Sequence, residues 1–277
     1  MHIFRRFFGP PGNPSGTMNQ RFYVHMPNGR VPAVYVDAQE DPYFVLRLAG
    51  IGGVPRPAIF ISGGASLMSD RDKQLTRNLF EKAIAPFAQR YNAVVIDGGT
   101  TSGVIEMMAT ARLKGGYTFP LLGIAPHKKV GYVGKAGNED GHDLCPGHSH
   151  FILVTGESYG AESEMIINLT HILAGGQQNR AGRTASALGI IVNGGEITQQ
   201  ETLLATNKYV DMPLIVMEGS GRFADELADA VRTGETSQAI IRSIIDRGHV
   251  QLAATTGGVP LLTEKLEAAF HGPAVSS

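Results

Sequence analysis

The chain is poor in cysteine, poor in charge and free of long apolar runs. Cys145 is the single cysteine, which excludes an internally disulfide-bonded secreted scaffold and fits a reducing cytoplasm. Lys and Arg number 24 and Asp and Glu 25, so 18% of the 277 residues are charged, against about 25% in an average globular chain. That composition excludes a solvated, disordered polymer. A net charge of −1 supplies no diffuse basic field for a nucleic-acid backbone or an anionic membrane surface, and neither is expected as a partner. No stretch approaches the roughly 18 uninterrupted apolar residues of a membrane span. The opening MHIFRRFFGPPGNPSG lacks the apolar run and small-residue cleavage site of a signal peptide. Ser62, Ser102 and Ser220 are not flanked as GxSxG and no serine triad can be argued from spacing, so a serine hydrolase is not indicated.

What is abundant is punctuation. Glycine and proline, 35 and 15 residues, exceed the roughly 12% they contribute on average. Six of them (Gly9, Pro10, Pro11, Gly12, Pro14, Gly16) fall in residues 1–20, which read as a flexible tail. Residues 21–277 are expected to form one domain, a size that a large α/β unit reaches. Its first section, 21–50, reads as β-rich: RFYVHM, AVYVDA and YFVLRLAG carry aromatic and branched residues, with Pro27, Asn28 and Gly29 as a turn between the first two. In the core, 57–270, short apolar runs at 58–62, 93–97, 120–125, 151–155, 188–193, 213–217 and 250–254 alternate with helical patterns near 70–90, 101–114, 160–174, 197–208, 222–233, 236–247 and 260–270. Apolar runs of five or six residues suit strands buried on both faces, so the fold class is α/β with a doubly wound, mostly parallel sheet.

The remaining glycines sit where those strands end: SGGAS (62–66), DGGTTSG (97–103), NGGE (193–196), EGSGR (218–222) and TTGG (255–258). Open parallel sheets bind ligands outside the carboxyl ends of their strands. Glycine there admits close backbone approach, and the helix N-terminus that follows offers unpaired N–H groups to a phosphate. A nucleotide or another phosphorylated small molecule is the expected guest. Thr100, Thr101 and Ser102 bring hydroxyl donors. Arg222, in the first turn of a helix, opposes the helix dipole unless it meets an anion, the alternative being a solvated side chain. Asp225 suits a ribose hydroxyl or a capping role. Gly194 and Gly195 complete the third loop.

The stretches PGHSHFILVTGESYGAE (146–162), NGGEIT (193–198) and PLIVMEGSGRFADELA (213–228), preceded by SGGA (62–65) and DGGTTSGV (97–104), resemble the SLOG superfamily. The resemblance is closest to bacterial stand-alone relatives of the N-terminal cytosolic domain of melastatin-type TRP channels. It covers roughly 57–230 and implies a Rossmann-like fold that binds nucleotide-derived ligands, ADP-ribose and NAD relatives foremost, as a sensor or ligand-binding module. It further implies a pocket built from Gly63, Gly64, Gly98, Gly99, Thr100, Gly103, Gly219, Ser220, Gly221 and Arg222. Other SLOG members are phosphoribohydrolases with a PGGxGTxxE signature. Here the stretch reads DGGTTSGVIE, with Asp97 for proline, Ser102-Gly103 for Gly-Thr, and Glu106 one residue late, a turn of about 100° on a helix.

Among residues able to do chemistry, His142, Asp143, Cys145, His148 and His150 lie within nine positions, but they lack a second ligand pair at zinc spacing, so no metal and no cofactor is expected. His150 is either structural or ligand-facing. Tyr159 either stacks on an adenine or plugs a helix start. Glu162 either binds a ribose hydroxyl or favours a helix N-terminus. The alternative to a binding module is a hydrolase of an N-glycosidic or phosphoribosyl bond, with Glu106 or Glu162 as acid/base. A homo-oligomer is compatible with all of this.

Overall fold

The computed structural model describes residues 18–52, 55–135, 141–176 and 186–271. In chain order the elements are β1 (Gln20–Met26), β2 (Gly29–Val36), α1 (Pro42–Ala49), β3 (Ala58–Gly63), α2 (Asp70–Leu79), α3 (Ala85–Arg90), β4 (Val94–Asp97), α4 (Gly103–Lys114), β5 (Leu121–Pro126), β6 (Val130–Gly131), β7 (His142–Asp143) and β8 (His150–Val154). They continue with α5 (Ser163–Leu173), β9 (Ala187–Val192), α6 (Glu196–Ala205), β10 (Leu214–Glu218), α7 (Arg222–Thr233), α8 (Ala239–Arg247), β11 (Val250–Ala254) and α9 (Gly258–His271).

Nine strands form one sheet in the order β1-β2-β8-β5-β4-β3-β9-β10-β11. Every neighbouring pair runs parallel except the β1–β2 hairpin. The fold is therefore the Rossmann-like α/β class expected, and each of the seven apolar runs of the core is a strand. Along β3, Ala58 and Phe60 join the core under α1, α5, α6, α7 and α8, while Ile59 and Ile61 join the one under α2, α3, α4 and α9. Burial on both faces removes the polar alternation of a half-exposed strand, which is why these runs are apolar throughout.

Two local expectations change. The third segment of the N-terminal section is not β-structure but α1. Asp41 caps it by accepting the Tyr43 N–H, Pro42 occupies its first position, and Gly50 closes it in the left-handed conformation at φ 79. These end signals, with Val45, Leu46 and Ala49 buried on one stripe, outweigh the strand preference of its aromatic and branched residues. The long pattern at 70–90 is α2 and α3 joined by a π-helical turn, Phe80–Ile84. Pro86 lies in the turn that follows, and a widened turn accommodates its missing N–H and bulky ring.

The connectivity places the crevice. From β3 the chain steps outward to β4, β5 and β8, then crosses back to β9 on the other flank of β3. The loops after β3 and β9 thus diverge to opposite sides and leave an opening at the carboxyl ends of the strands. Among the described residues no helix is long and apolar enough to cross a membrane.

Candidate functional site

A cavity of about 530 Å³ occupies that switch point. The end of β3 contributes Ser62, Gly63 and Gly64, the turn from β4 to α4 contributes Gly98, Thr100 and Ser102, and the turn after β9 contributes Gly194 and Gly195. Tyr159 and Glu162 reach in ahead of α5, Thr198 and Glu201 from α6, Arg222 from the start of α7 and His142 from β7.

Four helix N-termini converge here. Ser102, Glu162, Gly195 and Gly221 are the N-caps of α4, α5, α6 and α7, and none of them makes a side-chain cap hydrogen bond. Asp41 and Ser69, at the starts of α1 and α2, do. Backbone carbonyls take some of the first-turn N–H groups, that of Ile105 going to Ser102, that of Ser163 to Gly160 and that of Ala224 to Asn193, and the helix starts keep the remainder with their partial positive charge. Arg222 adds a full charge. It sits at φ 50, a left-handed conformation that costs a non-glycine residue on the order of 1–3 kcal/mol and clusters at functional sites. Its guanidinium lies over Gly195, where a Cβ would come within 2.8 Å of it. Among the described residues it has no hydrogen-bonding or ion-pair partner.

Deeper in, the cavity is acidic. Glu201 is buried and accepts the hydroxyls of Ser62 and, at 3.0 Å, Ser163. Burial raises its carboxyl. Glu162 is also buried, accepts the Gly160 N–H at 2.8 Å, and is pushed up to about 7 by burial, with the Glu201 carboxylate adding to the effect. Carboxyls that burial makes hold their protons more tightly suit proton transfer or recognition of hydroxyl donors.

A family model described as "SLOG in TRPM, prokaryote" matches residues 56–259, most of the chain. The chain belongs to this SLOG family. It is similar to a transient receptor potential channel of Caenorhabditis elegans, 29% identical in an alignment 231 residues long that covers 74% of this chain and 11% of that one. Two mouse proteins are similar as well. Subfamily M member 2 of the transient receptor potential cation channels is 27% identical over 63% of this chain and 13% of its own length, and subfamily M member 1 is 25% identical over 72% and 14%. The SLOG chain thus spans 11–14% of the length of these relatives.

Within the SLOG fold the residues singled out from sequence divide into two groups. Gly63, Gly64, Gly98, Thr100, Ser102, Tyr159, Glu162, Gly194, Gly195 and Arg222 line the cavity. Gly99, Thr101, Gly103, Gly219, Ser220, Gly221 and Asp225 lie outside its lining. Asp225 accepts the Gly219 N–H at 2.7 Å, the capping alternative rather than the ribose contact. Ser220 donates to the Met217 carbonyl and accepts the Asn193 N–H, so its hydroxyl is occupied. Thr101 is bound to the Asp143 carbonyl. Of the five glycine loops, TTGG at 255–258 abuts Gly219 through Thr255 instead of opening on the cavity.

Two candidates are displaced. His150 stands at the amino end of β8, opposite the glycine loops, where burial and the charges of Arg21 and Arg112 lower its ring to about 4. Its place at the amino end of the strand, not the residue type, removes it from the site. Glu106 lines a separate cavity of about 290 Å³ with Lys73 and Arg77, as its shift along α4 relative to the phosphoribohydrolase signature suggests.

Asp97, which replaces the proline of that signature, is structural. Its Oδ1 accepts the Gly99 N–H at 2.8 Å and lies 2.8 Å from His148 Nε2, while His148 Nδ1 donates to the Cys145 carbonyl. A carbonyl oxygen only accepts, so the Nδ1 contact is a donation from the ring. The pair fixes the turn at Gly98-Gly99 and occupies His148. The Cys145 thiol is pushed up to about 12 by burial and is inert as a ligand. Among the described residues no three His, Cys, Asp or Glu side chains converge on one point.

Two important residues were not singled out from sequence. Asn193, buried at φ 54, donates from Nδ2 to the Ser66 and Ser220 carbonyls and accepts the Gly194 N–H, tying three loops together. An Asn-Gly-Gly directly after an apolar strand was the available signal, since asparagine tolerates the left-handed region. Glu201 had no such signal.

Proposed function

We propose that the cavity binds a nucleotide-derived ligand, with ADP-ribose and its NAD-related kin the leading candidates, and that the protein is a cytoplasmic sensor or ligand-binding module. The observation that carries this is the strained, unpaired Arg222 among four helix starts without side-chain caps, an arrangement suited to phosphate oxygens. Membership of the SLOG family supports a ligand-binding role of this kind, and the choice of ADP-ribose rests on the resemblance read from the sequence. Calorimetry and thermal melting with ADP-ribose, NAD, ADP and AMP test it. At ligand 100-fold above its dissociation constant the fold gains about 2.7 kcal/mol, a rise of several degrees in a chain of this size. No heat and no thermal shift with any of the four at millimolar concentration would overturn the proposal.

Arg222→Ala is expected to weaken that binding by about 1.5–3 kcal/mol, the range of a charge-assisted hydrogen bond. Because the side chain has no partner among the described residues, the variant's melting temperature without ligand should stay at or above that of the parent. Titration of the folded variant with unchanged affinity would return Arg222 to the solvent.

Glu162 favours a second activity, hydrolysis of an N-glycosidic or phosphoribosyl bond in the bound nucleotide, because a carboxyl near 7 in a crevice is suited to general acid catalysis. Chromatography separates the two. Under the binding proposal AMP, ADP-ribose and NAD stay intact over many minutes. Free base or ribose phosphate released at about one turnover per second or faster, and lost in Glu162→Gln, would establish the hydrolase.

A further inference from the structure

The cavity has two ends of opposite character. Arg222, its one Lys or Arg lining residue, is exposed at the mouth, where Glu196 and His142 are exposed too. The floor holds Ser62, Glu162 and Glu201, at 3%, 5% and 5% exposure, with no basic side chain among the lining residues there.

Hydrogen-bond bookkeeping shows what this floor asks of a guest. Ser62 spends its hydroxyl proton on Glu201, so toward the cavity its oxygen has only lone pairs to give. Glu162 takes the Gly160 N–H on one oxygen, its own backbone N–H bears on the carboxyl, and among the described residues no other one hydrogen-bonds it. Glu162 is therefore a side chain more than nine-tenths buried, lining the cavity, with acceptor capacity to spare. Buried acceptors call for donors, and an anion brought against them would be costly.

Resting on the proposed function, we infer that the ligand enters with its phosphate at Arg222 and sets the free 2′,3′-diol of its adenosine ribose on the floor formed by Ser62, Glu162 and Glu201, so that the site rejects 2′-phosphorylated nucleotides. A ribose diol supplies two adjacent O–H donors of the kind the floor lacks. A phosphate on the same ring would place its charge beside two carboxyls and out of reach of Arg222.

The test compares two pairs by calorimetry at pH 8: AMP with adenosine 2′,5′-bisphosphate, and ADP-ribose with ADP-ribose 2′-phosphate. In whichever pair binds, the 2′-phosphorylated member should be at least ten times weaker, and 2′-deoxy-AMP should also bind more weakly than AMP. Glu162→Gln, which keeps the shape and the Gly160 contact, should narrow the gap between the members of each pair. Glu201→Gln should do the same provided it folds, and Glu162→Gln decides the matter if it does not. A 2′-phosphorylated member that binds as tightly as its partner would overturn the inference while leaving the proposed function standing. Silence from all the nucleotides would overturn both.

Discussion

Replacing Glu162 by glutamine is expected to stabilise the protein by about 3 kcal/mol at pH 8.5 and to leave it unchanged at pH 4. In the fold, burial raises the Glu162 carboxyl from its ordinary 4.5 to about 7. A group that holds its proton more tightly when folded contributes its stability in full below the unfolded value and loses it as the pH rises through the folded one. Above about 7, therefore, the parent carries a buried charge that the unfolded chain would expose to water. Glutamine has no proton to lose, matches the carboxyl in shape, and still accepts the Gly160 N–H through its own carbonyl oxygen. Calorimetric melting at the two pH values should show the variant higher by roughly 6 °C or more at pH 8.5 and level with the parent at pH 4. A parent as stable as the variant at pH 8.5 would mean that Glu162 ionises in the cavity at no cost. Retention of such a destabilising acid is what a functional cavity shows, where local rules are broken for the sake of the site.

The strands of this fold were legible because each is buried on both faces and so reads as an unbroken apolar run between glycines. The site was legible to the extent that it is backbone: Gly63, Gly64, Gly98, Gly194 and Gly195 mark strand ends that must admit close approach, and all of them line the cavity. Side chains brought in by tertiary geometry were harder to find. Glu201 sits in EITQQETLLA, a stretch whose mixed polarity reads like the solvent face of a helix, and only the passage of α6 over the end of β3 buries it against Ser62. His150 shows the converse error. Of its two readings the ligand-facing one fails, because which end of the strand meets the glycine loops depends on strand direction across the whole sheet. Ser220 and Asp225 came with the right motif, yet their polar atoms are consumed in holding the loop that presents Arg222.

Gly63→Ala is expected to cost about 4 kcal/mol or more, combining an overpacking clash with backbone strain. Gly63 ends β3 opposite Val192 of β9, at φ 150. A Cβ built there would lie 1.9 Å from the Val192 carbonyl oxygen and 2.8 Å from its carbon. Both are backbone atoms of a central strand, and the same oxygen accepts the Gly64 N–H at 3.2 Å, so neither side can give way without parting β3 from β9 at the edge of the cavity. Gly64→Ala is the matched control. Its Cβ would find nothing nearer than the Ser66 nitrogen at 4.0 Å, and it needs no left-handed backbone. Urea unfolding should therefore separate the neighbours sharply: Gly64→Ala within about 1 kcal/mol of the parent, Gly63→Ala with most of a marginal stability gone, since whole folds hold only about 5–15 kcal/mol. Because Gly64 lines the cavity, its added methyl should show in nucleotide binding instead, weakening it in a protein that is otherwise intact. Equal stability of the two variants would mean that the end of β3 is slack, and the cavity wall would then be too mobile to hold a phosphate against Arg222.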